Sequence, residues 1–547
     1  MRFSGSLLIA LAVGLLLFGV GGCVPSHLKP FTAVPSVRGN PNPAAPLAAI
    51  VRFSTDRPVS TQLHISGGGR RTRLTFDERY DPRKGLPVVG LLPGCEHTIQ
   101  VSVSTRRGAG ITYPTLLKYT TPLLPTDPAE FPKIVVERAD KSKIEPGVTM
   151  FNPRRRIPGG AAGKFNKEFG LLTAVDSEGR VVWYYRGDSR ISDFAQMPNG
   201  NIVFITQDNR LVEIDMLGNT LRTWCAKGRR EGPGEGTPVD TLTFHHCVEP
   251  LSNGNFIILG SDRREMEYYT SEHDPKAPMK KQWVMGDEIV EFQPDGKVVW
   301  RWNAFDHLNP MRFGYLTLGG YWARRGWPGT ADWTHCNSVR LTPEGDAVLL
   351  NSRYQSAVLK IRRGSGEIVW LAGEPSGWPK ALQNRLLRRA AGTKWFWHQH
   401  APEITPDGTL MLFDNDNFRN RPYGQATEPK DIRSRAVEFK IDEAEKTIRQ
   451  IWSSDHPKAP QLASWAMGSA RVMPKTGNVL AGYGLVFRNA DLPKATWATR
   501  LKSTGTTEIR EYSRTEPAKL LWRLQLLTQD PKSPVGWSLY GARRIRF

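Results

Sequence analysis

Five histidines and one arginine are the residues of this 547-residue chain from which a reactive site can be assembled. His245 and His246, His335, and His398 and His400 head three similar stretches: F-H-H-C-V-E-P-L-S-N-G-N, D-W-T-H-C-N-S-V and W-F-W-H-Q-H-A-P-E-I-T-P-D-G. Each stretch runs into alternating apolar residues and then a turn glycine, the pattern of a β-hairpin. His246 and His400 lie eight residues before their turn glycines, Gly254 and Gly408, and His335 lies ten before Gly345. Asn337 takes the eight-residue position in that hairpin. Both intervals are even, so on a regular strand His335 and Asn337 share a face. The same register prefers His246 to His245. His398 has the parity of His400 and reads as a rim or supporting residue one step further out. Arg353 follows at the end of the paired strand, in N-S-R-Y-Q-S-A-V-L-K-I.

Three imidazoles are first of all a metal-binding set. An arginine is a poor neighbour for a cation, however, and the nearest acids, Glu249 and Glu403, each lie an odd step from their histidine. No metal is therefore assigned. Arginine among histidines fits a tetrahedral oxyanion, sulfate or phosphate, held by planar donors. With such an anion bound, one neutral imidazole can be a nucleophile while the others donate hydrogen bonds and protonate a leaving oxygen. A non-catalytic propeller that binds an anion or a cell-wall partner, and a metal-dependent hydrolase or lyase, stay open as alternatives.

The elements that must position these residues repeat along the chain. Hairpin turns recur at Pro198-Asn199-Gly200, Ser252-Asn253-Gly254, Pro343-Glu344-Gly345, Pro406-Asp407-Gly408 and around Pro474. Between them lie strands ending in tryptophan, at Trp183, Trp224, Trp300, Trp370, Trp452 and Trp522. A hairpin plus a Trp-ended pair makes four strands, one propeller blade. The expected fold is all-β, a six-bladed β-propeller over residues 168–547. Its split blade takes an inner strand from S-L-Y-G-A-R-R-I-R-F at the C-terminus. Short alternating strands over 47–122 read as a small β-sandwich, with His64 and His97 structural. Residues 123–167 read as a connecting segment.

Residues 1–23 read as an export signal: Arg2, an apolar core from Leu7 to Val20, then Val20-Gly21-Gly22-Cys23. The core is too short to span a bilayer, and its end resembles a lipobox with Cys23 as the lipidated residue. Residues 24–46, Pro-rich, then read as a tether, which places the protein outside the cytoplasm on a lipid anchor. Net charge is +21, which concentrates anionic ligands at the surface. No run of five basic residues occurs, so nucleic acid is not an expected partner. Arg154-Arg155-Arg156 and the set Arg385, Arg388 and Arg389 read as solvated basic surface. Cys247 and Cys336 each follow a site histidine, so their sulfurs are expected to turn away into packing.

The chain resembles the bacterial arylsulfate sulfotransferases, the type that does not use the nucleotide sulfate donor. The three histidine stretches carry the resemblance, together with N-S-R-Y-Q-S-A-V-L-K-I, R-S-R-A-V-E-F-K-I-D and the N-terminal P-L-A-A-I-V-R-F-S-T and V-V-G-L-L-P-G. It implies a six-bladed propeller and ping-pong transfer of a sulfuryl group from an aryl sulfate donor to a phenolic acceptor through a sulfohistidine, without a cofactor. By that resemblance His400 is the nucleophile. His246, His335 and Arg353 hold and polarise the sulfuryl group, and Asn337 adds a donor. Trp333, Trp395, Trp397 and Tyr354 are expected to stack on an aromatic substrate, and Arg419, Arg421 and Arg435 to form a basic funnel. Two features depart from the family: Cys247 stands where an acidic residue is common, and no cysteine pair matches a short-loop disulfide known in some members.

Overall fold

Alternating apolar residues put this chain into strands nearly throughout, and the turns between them are set by glycine. At Gly254 and Gly408 the backbone has φ of 87° and 74°, with open space where a Cβ would sit. Glycine is needed there for the left-handed conformation and not for room. The computed structural model describes residues 31–105, 110–157, 163–232, 234–487, 492–500, 506–530 and 532–547. The export signal and Cys23 lie outside the described residues.

Residues 31–122 form an Ig-like sandwich of two sheets. One orders Ala33–Gly39, Ala49–Ser54 and Leu86–Val88, and the other is built on Ser60–Gly67 between Arg70–Phe76 and Glu96–Ser104. The strand Ala33–Gly39 lies inside the stretch expected to be a tether, so that expectation is corrected. Alternate residues such as Val37 reach the sandwich core. Asn40 donates to Leu217 O (2.8 Å), and Arg186 N donates to Ala44 O (2.8 Å). The first loop of the sandwich is thereby docked on the next domain. One apolar cluster runs from Val51, Leu63 and Val101 of the sandwich into Trp183, Phe194 and Phe204 of the propeller.

The propeller is built from six sheets in the described residues. Their inner strands are Ile191–Gln196 (β1), His245–Pro250 (β2), Cys336–Leu341 (β3), His400–Ile404 (β4), Ser469–Val472 (β5) and Gly536–Ile545 (β6). Each neighbours the next, and β6 lies between β5 and β1, so the C-terminal strand closes the ring. Closure removes the free sheet edges that would otherwise pair with other chains. The segment 123–167 is not merely a connector. Val148–Arg156 pairs with β6, and Lys133–Ala139 pairs with the outer strand Leu520–Leu527. The chain therefore crosses the closure point twice, and the propeller begins at residue 133.

The repeated tryptophans tie each sheet to its neighbour. Their indole N–H groups donate to the last turn of the following sheet: Trp183 to Met216 O (2.9 Å), Trp224 to Pro294 O (2.8 Å) and Trp302 to Gly366 O (3.0 Å). The series continues from Trp370 to Glu443 Oε1 (2.8 Å) and Trp452 to Thr515 O (3.1 Å), and Trp522 returns to Ser177 O (2.9 Å) of the first sheet. In the third sheet the tie is made by the buried Trp302, not by Trp300 as the repeat alone implied.

Candidate active site

The site histidines are presented by irregularities in the strands. The antiparallel register shifts between His245 and Val248, between Cys336 and Ser338, and between His400 and Glu403. These bulges sit at one mouth of the ring, where an extra residue re-aims a side chain. His246 and His335 have φ of 58° and 44°, and Ala401, next to His400, has 49°. Such left-handed backbone in non-glycine residues costs about 1–3 kcal/mol each and persists only where the surrounding packing enforces it.

His246, His335, Arg353, Tyr354 and His400 all face one cavity of about 580 Å³ at that mouth. The ring centroids of His246 and His335 are 5.0 Å apart, and Tyr354 stacks on His335 at 4.4 Å. Tyr321 stands 4.5 Å from His335 and lies parallel to His246 at 5.9 Å. Tyr540 of β6 lies 6.4 Å from His400 and 6.0 Å from His246.

Hydrogen bonds behind the rings fix their protons. His400 Nδ1 lies 2.6 Å from Asn415 Oδ1. The amide of Asn415 cannot be turned round, because its Nδ2 donates to the carbonyls of Ser464 (2.8 Å) and Met467 (2.9 Å). Asn415 Oδ1 must therefore accept, His400 carries its proton on Nδ1, and Nε2 is left with a lone pair. Burial, then the Arg353 charge, holds His400 well below the usual imidazole range, so the ring is neutral.

His335 is set the other way. Its Nδ1 lies 2.5 Å from Asp332 Oδ2, and Trp322 Nε1 donates to the other oxygen at 3.0 Å. Burial and then the neighbouring Asp287 push the Asp332 carboxyl well up, while burial and Arg353 push His335 well down. Both shifts favour the shared proton on the carboxyl. A carboxylic acid donating to Nδ1 leaves His335 with its proton on Nε2, the second ring nitrogen.

His245 and His246 divide their roles. His245 Nε2 faces Gly260 O (3.0 Å) and Asp287 (3.2 Å), and its Nδ1 meets His246 Nδ1 at 2.7 Å. His246 packs on His335 and Tyr321, as its register implied. Asp287, His245 and His246 form a chain leading into the cavity. Burial raises Asp287, but His245, Thr334 and the Cys336 N–H outweigh it and keep the carboxylate ionised.

Several expected contacts fall elsewhere. Asn337 does not line the cavity: it donates to Gln399 O (3.0 Å) and accepts from Asn351 Nδ2 (2.6 Å), bracing β3 against β4. The bulge after Cys336 breaks the alternation that had placed it beside His335. Trp333 is fully buried, donating to Arg312 O (2.9 Å) and packed on Phe305. Neither Trp395 nor Trp397 lines the cavity, and Trp395 packs against the Phe396–Phe439 core. His398 is buried between Tyr354 and Phe418. Arg419, Arg421 and Arg435 do not form the funnel: they bind Asp416 (3.2 Å), Ser376 O (2.8 Å) and Asp414 (3.0 Å). Glu249 and Glu403 pair with Arg340 (3.0 Å) and Arg471 (2.6 Å), away from the mouth. Cys247 and Cys336 are free and fully buried, turned into packing as expected. Among the described residues no group of three or more His, Cys, Asp or Glu is placed to hold a metal ion.

The basic wall comes instead from the triplet read as solvated surface, Arg154-Arg155-Arg156, joined by Lys167, Arg190, Arg324, Arg325 and Arg500. With Arg353 that makes, among the described residues, nine cations against one lining carboxylate, Glu231. The triplet itself was the available signal. Tyr321 and Tyr540, single aromatic residues in an insertion and in the closing strand, carried none.

The sequence profile of the arylsulfotransferases matches residues 133–523. The chain belongs to the arylsulfotransferase family. The match starts at the outer strand Lys133–Ala139, where the propeller begins, and the family's Ig-like domain matches residues 36–122. The arylsulfate sulfotransferase of Lelliottia amnigena is 23% identical over 537 aligned residues, which cover 81% of this chain and 84% of that protein. The Escherichia coli (strain CFT073) arylsulfate sulfotransferase is 25% identical over 335 residues, 51% of each chain. The WD40 β-propeller domain of Doa1 overlays with a TM-score of 0.30 and 8% identity, over 72% of this chain and 85% of that domain. That overlay is too remote to add to the fold described above. The family assignment makes this chain an aryl sulfotransferase.

Proposed function

We propose that the protein moves a sulfuryl group from an aryl sulfate ester to a phenol in two steps, through a sulfohistidine at His400. The observation that carries this is the fixed tautomer of His400: a neutral ring with Nδ1–H on Asn415 and an unprotonated Nε2. Nε2 attacks sulfur, the sulfur–aryl oxygen bond breaks, and its electron pair leaves on the oxygen. Arg353 and His246 hold the sulfuryl oxygens as charge develops on them. His335 delivers its Nε2 proton to the departing oxygen and takes the Asp332 proton on Nδ1, leaving Asp332 ionised. In the second step the acceptor phenol gives its proton back along the same relay and attacks sulfur. The nitrogen–sulfur bond then breaks, and its electron pair returns to Nε2.

The test is turnover of 4-nitrophenyl sulfate with and without phenol, with and without chelator, on the wild type and His400→Ala. The expected result is phenol-dependent release that survives the chelator and is lost in the variant, with sulfated His400 trapped by mass spectrometry in the wild type. Release that needs metal and ignores phenol, or a variant of near-normal activity, would overturn the proposal. Export and lipid anchoring at Cys23 belong to the same proposal. Cys23→Ser is expected to move the protein from the membrane fraction to the soluble exported fraction, and unchanged fractionation would refute it.

A further inference from the structure

The cavity holds more positive charge than one sulfuryl group uses. Arg353 sits with His335, His398 and His400, whose proton affinities it lowers. A second group gathers around Tyr321, and one of its members, Arg325, also lowers His246 and His335. Arg154 lies over the Tyr540 ring at 5.0 Å, and its Nε and Nη2 donate to Ile191 O (2.9 Å) and Ser192 O (2.8 Å). Arg325 lies over the Tyr321 ring at 3.6 Å and donates to Tyr321 O (3.3 Å). Arg190 donates to Gln207, and its buried Nε has no partner.

Among the described residues none of these three guanidinium groups is paired with a carboxylate, although most of the fully buried arginines are. Arg340, Arg435 and Arg510 pair with Asp193 (3.0 Å), Asp414 (3.0 Å) and Glu508 (2.6 Å). Burial lowers Arg154 to about 10 and Arg190 to about 9, and the three charges add to that by repelling one another. Buried like charges without a counter-ion are costly, and an anionic ligand relieves them. Their shared position around Tyr321, whose ring packs on His246 and His335, marks where the remainder of an aryl substrate lies.

We infer that Arg154, Arg190 and Arg325 form a second anion site, and that the preferred aryl substrates carry a further oxyanion, carboxylate or phosphate, beyond the phenolic oxygen. The inference rests on the reaction proposed above. In a two-step transfer the leaving and accepting phenols occupy the same place, so the preference applies to both. Planar guanidinium forks match either oxyanion.

The experiment uses the full-length protein, with 4-nitrophenyl sulfate as donor. The acceptors are 4-hydroxybenzoate, 3-(4-hydroxyphenyl)propanoate and 4-hydroxyphenyl phosphate, against the methyl esters of the two acids as neutral controls. For at least one acid, kcat/KM is expected to exceed that of its ester by about 10-fold or more, the scale of a charge-assisted hydrogen bond. The ratio is expected to fall as salt is raised, and to drop towards one in Arg190→Gln. Arg325→Gln, on a half-exposed loop residue, gives the same readout should the first variant fold poorly. Calorimetric binding of the acids, lost in either variant, supports the site without turnover. Equal rates for acids and esters, or a ratio unchanged in both variants, overturn this inference while leaving the transfer reaction standing. Absence of transfer to every acceptor overturns the reaction itself, and acid binding that is the same in wild type and variants then overturns the site too.

Discussion

Replacing Asn415 by leucine isolates the feature on which the proposed chemistry depends. The side chain keeps its volume, but His400 Nδ1–H loses its acceptor at 2.6 Å, and the carbonyls of Ser464 and Met467 lose their donors. A buried donor left unsatisfied costs about 1–3 kcal/mol. His400 avoids that cost by moving its proton to Nε2, towards the cavity, where it blocks the lone pair. If the native tautomer is favoured by that amount, the reactive fraction and kcat fall about 5- to 160-fold, at about 1.36 kcal/mol per decade. Stability falls too, by about 1–3 kcal/mol for the orphaned Met467 carbonyl, while Ser464 O keeps the Ser434 hydroxyl at 3.3 Å, so activity is compared well below the melting transition. ¹⁵N spectra separate the two effects. In the wild type His400 is expected to show a protonated Nδ1 and an unprotonated Nε2, and the variant a mixture or the reverse. An unchanged ¹⁵N pattern with kcat within about threefold of wild type would refute the tautomer argument, whatever the loss of stability.

Other consequences of the same geometry can be measured directly. His246, His335, His398 and His400 are all held below the usual imidazole range by burial. Below pH of about 6.5 the unfolded chain binds protons that the native chain does not. Denaturant midpoints are therefore expected to fall as pH drops from about 7 to 5, while the acid limb of kcat/KM lies well under 6.5. Asp332→Asn removes the proton that His335 relays, so phenyl sulfate, with its basic leaving group, is expected to slow about 10-fold more than 4-nitrophenyl sulfate. Equal slowing of the two esters would count against the relay. Gly314 has no room for a Cβ, which would overlap the Tyr354 carbonyl. Gly314→Ala is expected to displace Tyr354 from its stack on His335 and cut kcat/KM about 10-fold, with a lower melting temperature measured alongside.

The repeat and the reactive residues were legible because each is written locally. Turn glycines and Trp-ended strands specify hairpins wherever they fall, and three histidines at even offsets of eight or ten from those turns had to arrive at one mouth of the ring. Closure by the C-terminal strand was legible for the same reason, since one blade lacked an inner strand. What stayed hidden depends on contacts between distant segments. The stretch at 123–167 carries no repeat signature, yet Val148–Arg156 and Lys133–Ala139 pair with strands nearly 400 residues away. Asn337 was misplaced because alternation along a strand fails at a bulge, and a bulge is set by the partner strand. Sequence alone determined that His246, His335, His400 and Arg353 would meet. Only the tertiary structure decided which nitrogen of His335 and of His400 carries the proton, because the carbonyls that fix Asn415 and the Asp287 charge that raises Asp332 come from segments distant in sequence. It also turned Arg154, a residue of an apparent surface triplet, into the wall of a buried cavity, since a charge run has no direction until the sheets around it close.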